Sequence, residues 1–166
     1  MGEHQLFLSL GGNLGKKSEI FDSTMRYIEA QIGSPLKVSS IYKSSSWGFH
    51  SRNLFWNQVI KVETRLSPEE VLREIRIIED YFGRRREPGI YLSRKMDIDI
   101  LFYDDLILNS QELTIPHPQI ALRKFILEPL FEVAPEHIHP VLKEKINKIR
   151  LNCKDFSKVR KIEFPG

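Results

Sequence analysis

Hydrophobic positions along the chain recur with two periods, and each change of period marks a new element. Residues 5–10 form an apolar run that reads as a strand, ended by Gly11-Gly12-Asn13-Leu14-Gly15. Phe21, Met25, Ile28 and Ile32 then recur at helical spacing and predict a helix from near Ser18 to a stop at Gly33. Residues 37–44 and 55–64 are rich in β-branched and aromatic side chains and predict two further strands. The polar stretch 45–53 separates them as a loop. Ser67-Pro68-Glu69-Glu70 is a helix start: Ser at the cap, Pro at the first helical position, Glu three residues after Ser. Val71, Ile75, Ile78 and Phe82 form its apolar face, closed by Gly83. Residues 84–94 predict an arginine-rich loop and 95–103 a fourth strand.

The order strand, helix, strand, strand, helix, strand predicts an α+β fold of the ferredoxin-like βαββαβ type. In it an antiparallel sheet carries both helices on one face, here with C-terminal additions. Those additions begin beyond Asp104: a short strand within 106–109, an extended 114–118 in which Pro116 and Pro118 forbid helix, and helix over 120–133 interrupted by Pro129. An amphipathic helix after Val141 and a final strand near 159–164 complete the expectation. No repeat or linker divides the chain, so 1–166 reads as one domain.

At 166 residues the chain can bury a sizeable core, and 25 Lys and Arg against 22 Asp and Glu leave a formal charge of +3. With a sequence pI near 9.0, the bias suits a small anionic ligand and does not demand nucleic acid. The single cysteine, Cys153, has no internal partner, which favours a reducing compartment. The apolar run at 6–10 is too short to span a membrane, and Glu3 and His4 precede it where a signal peptide carries positive charge. A cytoplasmic protein is expected.

The chemistry concentrates in Arg94-Lys95-Met96-Asp97-Ile98-Asp99-Ile100. Residues two apart in a strand share a face, so Asp97 and Asp99 project together, roughly 7 Å apart along the backbone. One face of this strand should hold Asp97, Asp99, Leu101 and Tyr103, the other Met96, Ile98, Ile100 and Phe102. With so much apolar surface the strand is buried on both sides, and buried acids need compensation. Two carboxylates without His or Cys neighbours suit magnesium, whose remaining positions a phosphorylated substrate can fill. Arg84, Arg85, Arg86 and Arg94 supply guanidinium forks for phosphate oxygens immediately upstream.

Other signals are weaker. Gly11 to Ser18 lacks the second glycine of a P-loop, because Lys16 stands in its place. His117, held between Pro116 and Pro118, fits a phosphate donor. His4, His50, His137 and His139 have no zinc-ligand spacing. Asn57 shares a strand face with Phe55, and a polar amide there fits a residue that reads a ligand's edge.

Taken together, Leu10-Gly11-Gly12-Asn13-Leu14-Gly15, Ser39-Ser40-Ile41-Tyr42, Asn57, Ile78-Glu79, Gly83-Arg84, Arg94-Lys95-Met96-Asp97-Ile98-Asp99-Ile100 and Ile115-Pro116-His117-Pro118 resemble the 6-hydroxymethyl-7,8-dihydropterin pyrophosphokinases of folate biosynthesis. The resemblance implies transfer of the β,γ-diphosphate of ATP to the pterin hydroxymethyl group, giving AMP, with two magnesium ions held by Asp97 and Asp99. It implies catalytic roles for Arg84, Arg94, Asp97 and Asp99. ATP contacts would come from Arg76, Glu79, Arg84, Arg86, Tyr91, Arg94, Ile100, His117 and Arg123. The pterin would lie between Phe55 and Phe125, read by Asn57 and by Ser44, Ser45 and Trp47. Partners would be these small molecules alone, without nucleic acid or membrane, and the protein a monomer.

Two other classes share the strand and helix order. An RNA-recognition domain needs a Lys/Arg-Gly-Phe/Tyr-Gly/Ala-Phe-Val-x-Phe/Tyr strand, which this chain lacks. A small-molecule regulatory domain has no reason to keep an acid pair beside four arginines.

Overall fold

The computed structural model describes residues 2–44, 54–83 and 95–162. In chain order these form β1 (His4–Gly12), α1 (Lys17–Gln31), β2 (Gly33–Val38), β3 (Tyr42–Ser44), β4 (Phe55–Thr64), α2 (Pro68–Tyr81), β5 (Asp97–Tyr103), β6 (Leu108–Asn109), β7 (Thr114–Ile115), α3 (Lys124–Val133), α4 (Ile146–Asn152) and β8 (Val159–Lys161). The main sheet runs β5-β1-β4-β3-β8, with β2 also on β4, and every pair is antiparallel. β6 and β7 make a separate two-stranded sheet. The mixed α/β class and the antiparallel sheet agree with the sequence pattern, and the element order through β5 does so except that three strands, not two, lie between α1 and α2.

Both faces of the sheet are covered, which is why β1 is apolar at nearly every position. Leu6, Leu8 and Leu10 point into a core shared with Ile28 of α1 and Val71, Ile75 and Ile78 of α2. Phe7 points the other way, into a core shared with Val59, Ile126, Leu127 and Leu130, and with Ile146 and Ile149 of α4. The C-terminal additions thus form a third layer over the face that α1 and α2 leave open. α2 begins as its sequence requires: Ser67 Oγ accepts the Glu70 N–H at 3.2 Å and Glu70 Oε1 accepts the Ser67 N–H at 3.0 Å.

Several boundaries differ from the pattern, each for a tertiary reason. β1 continues through Gly11 and Gly12 because both pair with β4. The expected strand 37–44 is two strands, β2 and β3, on successive lengths of β4. Between them side chains share the ladder's work: the Ser39 N–H still donates to Val59 O, while Ser39 Oγ accepts the Val59 N–H and Gln58 Nε2 donates to Ser39 O, all at 2.9 Å. Gly33 opens β2 rather than closing α1, and a Cβ there would meet Glu63 O at 2.1 Å. It is glycine because two backbones approach closely, not because a helix needs a left-handed cap. α3 continues through Pro129, and the break in the 120–133 helix falls at Arg123, extended between a 3-10 turn (Ile120–Leu122) and α3.

The largest correction concerns the acidic strand. Leu8 pairs with Ile100 but Phe7 with Phe102, so Leu101 is an extra residue. Beyond this bulge the alternation inverts. Leu101 and Phe102 both face the α3 core, while Tyr103 joins Ile98 and Ile100 under α1 and α2.

At the far end of the α3 core, the His137 ring lies 4.9 Å from that of Phe7 and 4.5 Å from that of Phe102. His139 Nδ1 accepts the N–H groups of Val141 and Leu142 at 3.2 and 3.1 Å. Burial lowers the pKa of both rings, and the charges of Lys61 and His139 lower His137 further. Protons that the unfolded chain binds below its ordinary value of 6.5 are refused by the folded protein. Stability from these rings is therefore complete above pH 6.5 and is lost as the pH falls toward their folded values. Urea unfolding between pH 7 and 5 should show this decline, and His137→Phe should flatten it. In the same assay at pH 7, Ser67→Ala should cost about 1 kcal/mol through the lost cap.

Candidate active site

Opposed residues of antiparallel strands share a face, so the register reads as rows across the sheet. One row on the α3 face is Asp97, Gly11, Asn57, Tyr42 and Lys161, from β5, β1, β4, β3 and β8. Beside it lie Asp99, Ser9 and Val59 on one flank, and Phe55, Ser44 and Val159 on the other. The two aspartates therefore share a face, as alternation predicts, and Asn57, Phe55 and Ser44 share it with them.

Gly11 stands between the Asp97 carboxylate and the Asn57 amide. A Cβ on Gly11 would lie 3.1 Å from Asn57 Oδ1, so the missing side chain is what lets the amide lean over β1. Asn57 is buried, and its Nδ2 donates to Ser44 Oγ at 3.1 Å.

Other elements hold this end of β5 from its outer edge. Glu79 reaches across from α2, 1% exposed, and its Oε2 accepts the Ile98 N–H at 2.9 Å. That bond grips the residue between the two aspartates. Further along, the His117 N–H donates to Leu101 O at 3.0 Å. His117 is thereby tied to the bulge, and its ring is set by a second bond: Nδ1 accepts the Gln119 N–H at 3.1 Å. The neutral ring must carry its proton on Nε2, which stands 3.8 Å from Asp99 Oδ2. Burial lowers the His117 pKa, the Arg123 charge lowers it further, and Asp97 opposes both. Arg123 immediately precedes α3, its guanidinium 5.5 Å over the Phe125 ring, and Phe125 packs half-buried against the α3 core.

Not every residue implicated by the sequence comes to this face. Ile100 is 3% exposed and faces the opposite core. Glu79 is a buried buttress as described. Arg76 lies in a groove of about 660 Å³ between α2 and residues 110–113. Its guanidinium is 3.6 Å from Glu112, and its Nε is buried with no acceptor among the described residues. Arg84, Arg86, Tyr91, Arg94, Ser45 and Trp47 lie outside the described residues.

The donor set fits a hard divalent cation. Asp97 and Asp99 present oxygens on one face, part-exposed, with only a glycine between Asp97 and Asn57. Among the described residues no third His, Cys, Asp or Glu joins them. Water or phosphate oxygens would complete the shell, as suits magnesium.

Residues 7–135 match the family described as 7,8-dihydro-6-hydroxymethylpterin-pyrophosphokinase. The chain belongs to that family. It is 33% identical over 145 residues to a 2-amino-4-hydroxy-6-hydroxymethyldihydropteridine pyrophosphokinase of Aquifex aeolicus, covering 87% of this chain and 89% of that one. It is 36% identical over 138 residues to the protein of that name from Porphyromonas gingivalis, covering 81% and 93%. The folic acid synthesis protein fol1 of Pneumocystis carinii is 36% identical over 138 residues, 82% of this chain but 18% of that longer protein. A crystal structure of Plasmodium falciparum HPPK-DHPS with pteroate shares the fold, with a TM-score of 0.75 at 15% identity. That likeness covers 90% of this chain, which spans 44% of the solved one.

Within the pyrophosphokinase frame, two residues of this face escape a reading of the sequence. Tyr42 sits beside Asn57 in the acid row, its hydroxyl pKa pushed up to about 12 by burial and by Glu132 and Glu128 of α3. Its parity with Ser44 was the available signal. Gln119 orients His117 through its backbone, for which its side chain gives no sign.

The His117 geometry has a spectroscopic consequence. Nitrogen-15 NMR at pH 7 should show a neutral ring protonated at Nε2, and titration should place its midpoint below 6.5. A ring protonated at Nδ1 would contradict the bond from Gln119.

Proposed function

We propose that this protein transfers the β,γ-diphosphate of ATP to the hydroxymethyl group of 6-hydroxymethyl-7,8-dihydropterin, releasing AMP, as a step of folate biosynthesis. Family membership supports the reaction. The observation that carries it to particular residues is the row that sets Asp97 beside Gly11 and Asn57. It sets a cation-binding carboxylate two ladder steps, about 10 Å, from an amide suited to a flat heterocycle, with only Gly11 between them.

In this reading Asp97 and Asp99 hold two magnesium ions. When bound, these supply positive charge that gathers phosphate oxygens and lowers the pKa of the attacking hydroxyl. Asn57 and Ser44 bind the polar edge of the pterin, Phe55 and Phe125 flank its rings, and Ser45 and Trp47 complete the loop beside them. The Nε2–H of His117, 3.8 Å from Asp99 Oδ2, donates to a phosphate oxygen beside that aspartate. Arg123 neutralises phosphate charge while stacked on Phe125. Arg84, Arg86 and Arg94 do the same from the 84–94 segment, and Arg84 and Arg94 act on the transferring group.

The nucleoside end of ATP fits the groove between α2 and 110–113, which Arg76 lines. Ile100, Glu79 and Tyr91 belong to the nucleotide side as well, Glu79 through its grip on Ile98. We take the fold as ferredoxin-like with a third layer, residues 1–166 as one domain, and the protein as a cytoplasmic monomer that binds neither nucleic acid nor membrane. Among the described residues no helix is long and apolar enough to cross a membrane.

The test is AMP release from ATP and magnesium. It should require the hydroxymethyl pterin, and Asp97→Ala and Asp99→Ala should each lower turnover by roughly 10³-fold with circular dichroism unchanged. Near-normal activity in either variant would remove the metal assignment. AMP release that ignores the pterin would remove the reaction.

A further inference from the structure

The chain beyond α4 lies outside the stretch matched to the family, yet it reaches back to the proposed site. Residues 153–160 alternate in exposure: Cys153, Asp155, Ser157 and Val159 are half-buried, and Lys154, Phe156, Lys158 and Arg160 are exposed. This is the pattern of an extended segment lying along a surface. It makes two attachments. Asp155 Oδ2 accepts the Lys124 N–H at 3.0 Å, while its Oδ1 accepts the Ser157 N–H at 3.0 Å. Further on, Val159 pairs with Ser44 and Lys161 with Tyr42.

The first attachment falls where α3 needs one. Arg123, its N-cap residue, gives no side-chain cap, so the opening N–H of Lys124 would otherwise lack a protein acceptor. Asp155 supplies an anionic cap from elsewhere in the sequence, matched to the positive end of the helix. Burial alone would raise the Asp155 carboxyl pKa, but the bonds from Lys124 and Ser157 outweigh it and hold it below the usual range. The second attachment is reinforced on α3. Lys161 Nζ is 3.2 Å from Glu132 Oε1, and Glu132 accepts the N–H and hydroxyl of Ser40 at 2.5 and 2.9 Å. One short segment therefore fastens the start of α3 to the strand that carries Ser44.

We infer that Asp155 is a positioning residue: by capping α3 it sets Arg123 and Phe125 against the row of Asp97, Gly11 and Asn57. This rests on the reading of Phe125 and Arg123 as substrate contacts. The residue touches no substrate itself, and its effect falls on binding more than on turnover.

The experiment compares Asp155→Ala, Asp155→Asn and Ser67→Ala in the full chain. Steady-state AMP release gives kcat and KM for both substrates, and hydrogen exchange reports the Lys124 amide. Asp155→Ala should raise the pterin KM roughly tenfold with kcat little changed, and should release the Lys124 amide. Asp155→Asn keeps an acceptor oxygen and should recover most of the wild-type KM. Ser67→Ala weakens the cap of α2, which supplies none of the pterin contacts, and should leave the pterin KM unmoved. The inference is overturned if Asp155→Ala keeps the wild-type pterin KM, or if Ser67→Ala raises it as much. Should Asp155→Ala fail to fold, Asp155→Gln, whose longer side chain misaligns the acceptor, must show the same rise or the inference falls. Pterin-dependent AMP release by the wild type separates the two levels: if it is present and the Asp155 variants bind normally, only this inference fails, and if it is missing the underlying function fails with it.

Discussion

The register of β1 between β4 and β5 is the constraint on which the site depends. Asp97, Gly11 and Asn57 come from distant parts of the chain and meet only because the two ladders of β1 are in phase. A slip of one residue would turn both aspartates into the core beneath α1 and α2, among Leu6, Leu8 and Leu10. Carboxylates there would lie in apolar surroundings without water, at a cost no other contact of the strand offsets. The apolar residues of β1 therefore guard the geometry of a site they do not touch.

The Leu101 bulge shows how one strand serves two ends. Up to Ile100 the strand alternates with its acids on the α3 face, and after the bulge the same face receives Phe102. The acid end is thus open to ligands while the far end is filled by Phe7, Phe102 and His137. The exposed edge of β5 is closed by Glu79 and by the His117 N–H, one on each side of Asp99 in sequence. Edge groups that would invite another strand instead hold the acidic residues and the histidine at fixed separation.

Much of this was legible in the sequence, because the signals were local. The α2 start, the apolar β1 and the parity of Asp97 with Asp99 depend on residues close in the chain and on fixed periods. The glycines were readable as special but not for the right cause. Gly33 looked like the end of a helix, and Gly11 like part of a turn. Both answer to a neighbouring strand that the local sequence cannot show. Likewise 37–44 has strand composition throughout, yet the ladder is interrupted at Ser39 and Ser40, where the Ser39 hydroxyl and the side chains of Gln58 and Glu132 take up backbone groups.

By itself the sequence determined the order of elements, the pair of acids on one strand face and the family to which the chain belongs, since composition, period and motif are properties of neighbouring residues. Only the tertiary structure decided that Gly11 separates Asp97 from Asn57, that Phe102 and Tyr103 exchange faces, that Glu79 grips Ile98, and that Asp155 caps α3. Each of these is a contact between residues far apart in the chain. Such contacts follow from strand register and from how the layers stack, and no local pattern encodes either.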